Sequence, residues 1–296
     1  MSENKHPLVS VLIANYNNGR FIKETLDSVI AQTYPNIEIV IVDDGSSDNS
    51  LDVIERFISS HPEAYIKLYK NRDNKGCGRI KRQCVELSKG TFFSFLDPED
   101  TILPEAISTL MEVFNCDPAL GVVYCTHYLC NDKLEIQGIS SYPGTIPNGQ
   151  SHLTSTGGHI SALALCRRAV YDRTSGINAT YLVSEDQDLY LKMEEMAPVR
   201  YVDKPMYFYR KHDHNSSWSE QKAFNNFYWR YHCVKAAYLR RKENDYHVAN
   251  LTKLEMDRMS FSYYLRLGKD LWRKKKVFPA VGSWIRLLPF IYTQWR

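Results

Sequence analysis

Within the first hundred residues, short apolar runs alternate with segments of helical period, and this alternation admits few architectures. Val9 to Ala14 is a β-branched apolar run, followed by the polar loop Asn15 to Gly19. Phe21 to Gln32 then repeats apolar side chains at Ile22, Leu26, Val29 and Ile30, on one helical face. Ile37 to Val42 is a second apolar strand, ending in Asp43-Asp44-Gly45-Ser46, and Leu51, Ile54, Phe57 and Ile58 mark a second helix. Tyr65 to Tyr69 reads as a third strand, Gly78 to Ser88 as a third helix and Phe92 to Leu96 as a fourth strand. Strands this apolar are buried on both faces, so helices must cover both sides of a parallel sheet. Such sheets bind ligands at the carboxyl ends of their strands. The polar residues gather there: Asn15 and Tyr16, Asp43 and Asp44, Asn74 to Gly76, and Asp97 to Asp100.

Beyond Pro104 the spacing predicts a helix over Ala106 to Phe114, a strand over Gly121 to Tyr124, a helix over Leu182 to Met196 and a strand over Val199 to Tyr209. Asn131 to Gly158 is rich in Gly, Pro and Ser and reads as a loop that could face an acceptor. From Ala223 onward the chain reads as helical and aromatic. The expected organisation is one α/β domain over 1–217, with halves at about 1–100 and about 101–217, then a basic, aromatic helical extension over 218–296.

Composition narrows the setting. With 296 residues, 44% of them apolar and 24% charged, the chain can bury a full core. Seven cysteines without C-x-x-C spacing point to reduced thiols, hence a cytoplasmic location. Met1 to Pro7 does not read as a signal peptide, and Val277 to Tyr292 is broken by Arg286 and two prolines, so a soluble protein is expected. Residues 261–296 carry +7 of charge and the remainder −4. With Trp272, Trp284, Phe290, Tyr292 and Trp295, this tail fits either an anionic membrane surface, at the inner face of the cell membrane, or a helical appendage with a solvated face. No nucleic acid partner is expected.

Three clusters carry chemistry. Asp97, Glu99 and Asp100 crowd a strand-to-turn junction, an arrangement that favours a hard divalent cation, Mg²⁺ or Mn²⁺; the plain alternative is that Asp100 or Thr101 caps the helix after Pro104. At the second strand end, Asp44 could read a nucleobase edge while Tyr16 stacks on the base, or the segment is turn chemistry with Ser47 or Asp48 as cap. Glu185, Asp186 and Asp188 open a helix, where the macrodipole alone accommodates acids, but a carboxylate facing a cleft there can deprotonate a hydroxyl. His212 follows the last strand.

In this order the segments Val9 to Asn17, Val42 to Ser47, Asn74 to Gly76, Phe95 to Asp100 with Pro104, Glu185 to Leu191 and Tyr209-Arg210-x-His212 resemble the inverting GT-A glycosyltransferases of family 2, over residues 8 to 217. The resemblance implies a Rossmann-like, mostly parallel sheet and transfer of a sugar from a nucleotide-diphosphate donor, with UDP-sugars the default, to a hydroxyl of a glycan or lipid-linked glycan. It implies donor contacts at Ala14, Asn15, Tyr16, Asp44, Asn74, Lys81 and Asp97, a Mn²⁺ or Mg²⁺ ion near Glu99 and His212, and Asp186 as general base, with Glu185, Asp188 and Arg210 in support. Glu99 stands where aspartate is more frequent, and Ile80-Lys81-Arg82 where Ala-Arg-Asn is common. His152, His159, Arg167 and Arg168 are candidates for the acceptor side.

Three rivals are weaker. A sugar nucleotidyltransferase would carry a Gly-rich, basic pyrophosphate loop after the first strand, where this chain has Asn15 to Arg20. A processive synthase would need membrane helices and a Q-x-x-R-W segment. A degenerate nucleotide-sugar-binding module would keep the fold without turnover.

Overall fold

The computed structural model describes residues 6–212 and 220–287, with the side chains of all but 220–225. The first half alternates as the periodicity requires: β1 (Val9–Asn15), α1 (Ile22–Ile30), β2 (Ile37–Asp43), α2 (Ser50–Ser60), β3 (Ile66–Lys70), α3 (Cys77–Leu87) and β4 (Phe92–Phe95). The two-residue strand β5 (Thr101–Ile102) and α4 (Ala106–Cys116) follow. Then come β6 (Val122–Cys130), β7 (Ile136–Ile139), β8 (Ala164–Arg167), α5 (Arg168–Tyr171), α6 (Glu185–Met196) and β9 (Val199–Arg210). Helices α7 (Glu220–Glu243), α8 (Lys253–Arg273) and α9 (Val277–Ile285) complete the described chain.

The strands form one mixed sheet in the order β3-β2-β1-β4-β8-β6-β9-β5, with β7 on β6. β1 pairs in parallel with both β2 and β4, and β2 with β3. Antiparallel β8 joins this half to β6, which runs parallel to β9. Alternation along the strands divides the core in two. Val9, Val11 and Ile13 face Ile22, Leu26, Ile54, Phe57 and the apolar side of α4, whereas Leu12, Val40 and Val42 face Ile80, Val85, Leu189 and Met193 of α3 and α6. Helices thus cover both faces, each fully buried aliphatic or aromatic side chain contributing about 1.5–3 kcal/mol.

Two cap expectations are corrected. α2 begins at Ser50 after Asn49, and Asp48 instead accepts from the Ser50 amide at 2.9 Å and the Gly19 amide at 2.8 Å. Asp100 does not cap α4; it is buried and accepts from the Arg210 amide at 2.7 Å and the Tyr207 hydroxyl at 2.5 Å. Its carboxylate therefore sews the acidic turn to β9.

Over the described residues 220–287 the chain forms the three helices α7, α8 and α9. α7 and α8 share a small core in which the Tyr231 and Tyr263 rings stack at 3.9 Å. Thr252 and Glu255 form a reciprocal capping box that starts α8. α7 is fastened to α6 by Arg241, whose guanidinium donates to Glu195 at 3.0 Å and Glu194 at 2.9 Å, and by Arg240, 2.8 Å from Glu195. The expected boundary at 217/218 lies outside the described residues, as do Phe290, Tyr292, Trp295 and Arg296 of the basic tail. Among the described residues, no helix is long and apolar enough to cross a membrane.

Candidate active site

A cavity of about 1270 Å³ opens at the carboxyl ends of β1 and β4. Its wall includes Ala14, Tyr16, Lys81, Asp97, Glu99, Glu185, Asp186 and His212. Residues from the strand ends, from α3, from the acidic turn and from α6 thus meet in one place.

The polar strand ends lie behind the wall and brace it. Asn15, opposite Asp43 in the β1–β2 register, donates to the Asp43 carboxylate at 2.7 Å. Asp43 also accepts from the Ser46 hydroxyl at 2.6 Å and the Ser46 amide at 2.9 Å. Asp44 is buried, and its two oxygens take the backbone amides of Lys75 and Gly76 at 2.9–3.0 Å. That bond fixes the turn into α3, where Gly76 has φ +88°, a backbone that side-chain-bearing residues rarely adopt. Asn15, Asp44 and Asn74 are not among the residues lining the cavity; Tyr16, 45% exposed, stands at its edge.

Helix α3 brings Lys81 inward because Gly78 lets it approach the chain before α6. A Cβ at Gly78 would lie 2.5 Å from the Tyr181 carbonyl oxygen and 2.6 Å from that of Asn178. The buried Lys81 ammonium is 2.8 Å from Glu185 and 3.7 Å from Asp97. Burial lowers the Lys81 pKa, but the Glu185 and Asp97 carboxylates outweigh it and hold the amine well above the ordinary range. Burial pushes Glu185 up, and the Lys81 charge and hydrogen bond more than offset this, leaving it lowered. Glu185 also accepts from the Cys77 thiol at 3.2 Å.

Asp186 is in the opposite condition. Withdrawal from bulk water, then the neighbouring Glu185 charge, raise its pKa to about 6. Its own amide neighbour, the Gln187 N–H, donates to it at 2.8 Å. A carboxylate so placed is basic enough to take a proton from a hydroxyl and remains largely ionised at neutral pH. Desolvation likewise raises Asp97, reinforced by Glu99 and Glu185, although Asp97 keeps 46% of its side chain open.

The acidic turn and the end of β9 meet through Arg210. This buried residue donates from its side chain to the Glu99 and Asp132 carbonyls, each at 2.6 Å, and pairs with Glu24. Two residues on, His212 Nε2 lies 3.8 Å from Glu99 Oε1. Glu99 and His212 offer the oxygen and nitrogen donors that Mn²⁺ accepts, and an adjacent Asp97 adds negative charge. Among the described residues no group of three or more His, Cys, Asp or Glu side chains forms a closed cage. The residues present fit an ion that takes its remaining ligands from a substrate's phosphates and water.

Other expected residues lie elsewhere. Asp188 is buried and pairs with Lys192 at 2.6 Å, away from the cavity lining. Arg167 and Arg168 stand at the start of β4, where their guanidinium groups lie over Phe92 and Phe93. His152 is buried, with Nε2 2.9 Å from Gln187 Oε1, and burial lowers its pKa to about 3. The cavity also takes residues not singled out from sequence. Phe21 packs against the His212 ring at 4.9 Å, Cys77 donates to Glu185, and Tyr142, Phe227 and Arg230 also line the cavity. Phe21 and Arg230 occupy ordinary helical positions in sequence, so only tertiary structure shows their place.

The mixed, mostly parallel sheet covered by helices, with acids at its strand ends, is a fold of the GT-A type. The sequence pattern of Glycosyl transferase family 2 matches residues 10–174, more than half of the chain, and the chain belongs to that family. Among curated proteins it is similar to chondroitin synthase of Escherichia coli, 28% identical over 71% of this chain and 30% of that one. Hyaluronan synthase of Pasteurella multocida is 28% identical over 72% of this chain and 21% of that one. The chain thus spans well under half the length of these relatives. Among solved structures, S. aureus TarS 1-349 in complex with UDP-GlcNAc superposes with a TM-score of 0.65 at 21% identity, covering 87% of this chain and 72% of that one. The mannosyltransferase PcManGT from Pyrobaculum calidifontis, in complex with GDP-Man and Mn²⁺, gives 0.58 at 16% identity over 97% and 76%. At these identities the two structures speak for the fold.

Proposed function

We propose that the chain transfers a hexosyl or N-acetylhexosaminyl group from a nucleotide-diphosphate sugar, a UDP-sugar first among them, to a hydroxyl of a glycan or lipid-linked glycan, with inversion. The observation that carries this reading is that Asp97 and Glu99, from the turn after β4, and Asp186, from α6, line one cavity although nearly ninety residues separate them. The TarS complex with UDP-GlcNAc and the names of the synthase relatives support the donor class.

In this reading Tyr16 stacks on the base beside Ala14. Asn15, Asp44 and Asn74 shape the donor loop from behind, and Lys81 and Asp97 stand near the ribose and diphosphate. Asp186 accepts the proton of the acceptor hydroxyl as that oxygen bonds to the anomeric carbon and the bond to the leaving diphosphate breaks. One displacement inverts the centre, and no second carboxylate has to form a covalent intermediate. Glu99 and His212 hold a Mn²⁺ or Mg²⁺ ion, which when bound neutralises charge on the leaving diphosphate. Glu185 and Arg210 support these groups by fixing Lys81 and the acidic turn, and Asp188 anchors α6.

The reading is tested by following nucleoside diphosphate release from UDP-GlcNAc, UDP-GlcA, UDP-Glc and GDP-Man with Mn²⁺, Mg²⁺ or excess EDTA. Release from a UDP-sugar that requires the metal supports it; equal release in EDTA contradicts the metal assignment, and no release from any donor contradicts the enzyme.

A membrane contact through 261–296 belongs to the same proposal, placing the work at the inner face of the cell membrane. Phe278 is 89% exposed and Ile285 56%, on a helix that follows Lys275 and Lys276 directly. Apolar rings in the headgroup region with cations beside them suit an anionic bilayer. Co-sedimentation with vesicles containing phosphatidylserine, lost in Phe278→Ser and at high salt, supports the contact. Equal recovery with neutral vesicles contradicts it.

A further inference from the structure

Two groups of side chains flank Asp186. Glu185, Lys81 and Asp97 act on it from the side of the strand ends. On the other side, the Tyr142 hydroxyl donates to Gln187 Oε1 at 3.3 Å, one residue from Asp186. Tyr142 is 37% exposed and stacks on His159, with ring centroids 4.7 Å apart. The His159 amide donates to the Tyr142 carbonyl at 3.1 Å, so the pair is held by backbone as well as by ring contact. Arg230 reaches this wall from α7 and is exposed to the cavity.

The cations of the cavity differ in their company. Lys81 meets Glu185 and Asp97, Arg20 meets Asp132 at 2.9 Å, and His212 lies beside Glu99. The groups that feel the Arg230 charge are Tyr142, His152 and His159, and burial holds both histidines toward their neutral form. An exposed guanidinium that lines the cavity beside neutral rings can receive an anion with the fork geometry of carboxylate or phosphate.

We propose that Arg230, Tyr142 and His159 form a subsite for the acceptor that takes a sugar ring bearing a carboxylate or a phosphate. The ring lies on the open face of Tyr142, and the anionic group meets the Arg230 guanidinium. The helical segment after residue 219 thereby selects what is glycosylated. The proposal rests on the donor assignment above, because it places the acceptor across Asp186 from the nucleotide.

The full chain, loaded with UDP and Mn²⁺, is titrated with methyl glucoside, methyl glucuronide and methyl glucoside 6-phosphate, with UDP and GDP titrated alone beforehand. The expected result is binding of one or both anionic glycosides about tenfold tighter than the neutral one at low salt, the preferred anion identifying the source. Arg230→Gln brings the anionic glycosides to the level of the neutral one, and Arg230→Lys retains part of the preference. Circular dichroism confirms that both variants fold. Nucleotide binding with equal affinity for all three glycosides, or a preference that survives Arg230→Gln, overturns the subsite alone. Failure of both UDP and GDP to bind overturns the donor reading and the subsite with it.

Discussion

Lys81 and Glu185 lie 2.8 Å apart and join α3 to the first turn of α6, each buried against the other. This pair sets the electrostatics next to Asp186, since the Glu185 charge raises Asp186 and the Lys81 charge lowers it. Replacing Glu185 with Gln removes the first influence and leaves the second. The acidic limb of the pH–rate profile should therefore move to lower pH in Glu185→Gln. An unmoved limb would separate Glu185 from the base.

Lys81→Met should destabilise more than a surface charge change. It leaves Glu185 buried without its cation, a situation that costs about 3–5 kcal/mol. Urea unfolding at neutral pH measures this. As pH falls through the range in which Glu185 protonates, the deficit should shrink, because the uncompensated charge disappears.

Arg241 performs a similar function for the helical extension, its guanidinium reaching Glu194, Glu195 and the Ser151 hydroxyl at 2.8–3.0 Å. Glu194 in turn accepts from the His152 amide at 2.7 Å, and His152 meets Gln187 beside the base. Arg241→Ala should lower stability by about 3–5 kcal/mol. It should also reduce kcat more than it raises the donor KM, since it loosens α6 and not the strand ends.

Gly78→Ala is the corresponding test of backbone approach. The new methyl would collide with two carbonyl oxygens before α6. Overpacking of this kind costs about 1–3 kcal/mol. A loss of thermal stability with weaker nucleotide binding is the expected outcome, measured by thermal unfolding with and without UDP.

Glu99→Ala should raise the Mn²⁺ concentration needed for half-maximal activity by about tenfold or more, judged from typical losses when a metal site is weakened. Titration of activity against Mn²⁺ checks it. An unchanged requirement assigns the ion to other ligands.

Much of this was readable from pattern. β1 to β4 and α1 to α3 declare themselves because both faces of the sheet are buried and the period changes from 2 to 3.6 between segments. Short elements lacked that signal. β5 is two residues long and exists through antiparallel pairing of Thr101 with Phe208 and Ile102 with Tyr207, and β8 is a strand of four residues set antiparallel between β4 and β6. The start of α6 shifts three residues because Ser184 takes φ +64°. The acids at that helix start were legible as a cluster, yet their roles divide by tertiary partner: Glu185 on Lys81, Asp188 on Lys192, Asp186 into the cavity. No local pattern marks Asp44 as placing both oxygens on the Lys75 and Gly76 amides, or Arg230 from α7 as lining the cavity.

The role of Asp186 as acceptor of the hydroxyl proton is tested most directly by the pH dependence of transfer. Transfer should rise through a single ionisation at about 6 as the carboxyl loses its proton. Asp186→Asn should lose about a hundredfold or more in transfer rate at pH 7.5, the scale of general base catalysis, while UDP affinity stays within about twofold. Transfer by Asp186→Asn at the wild-type rate, with the wild-type pH profile, would contradict the account.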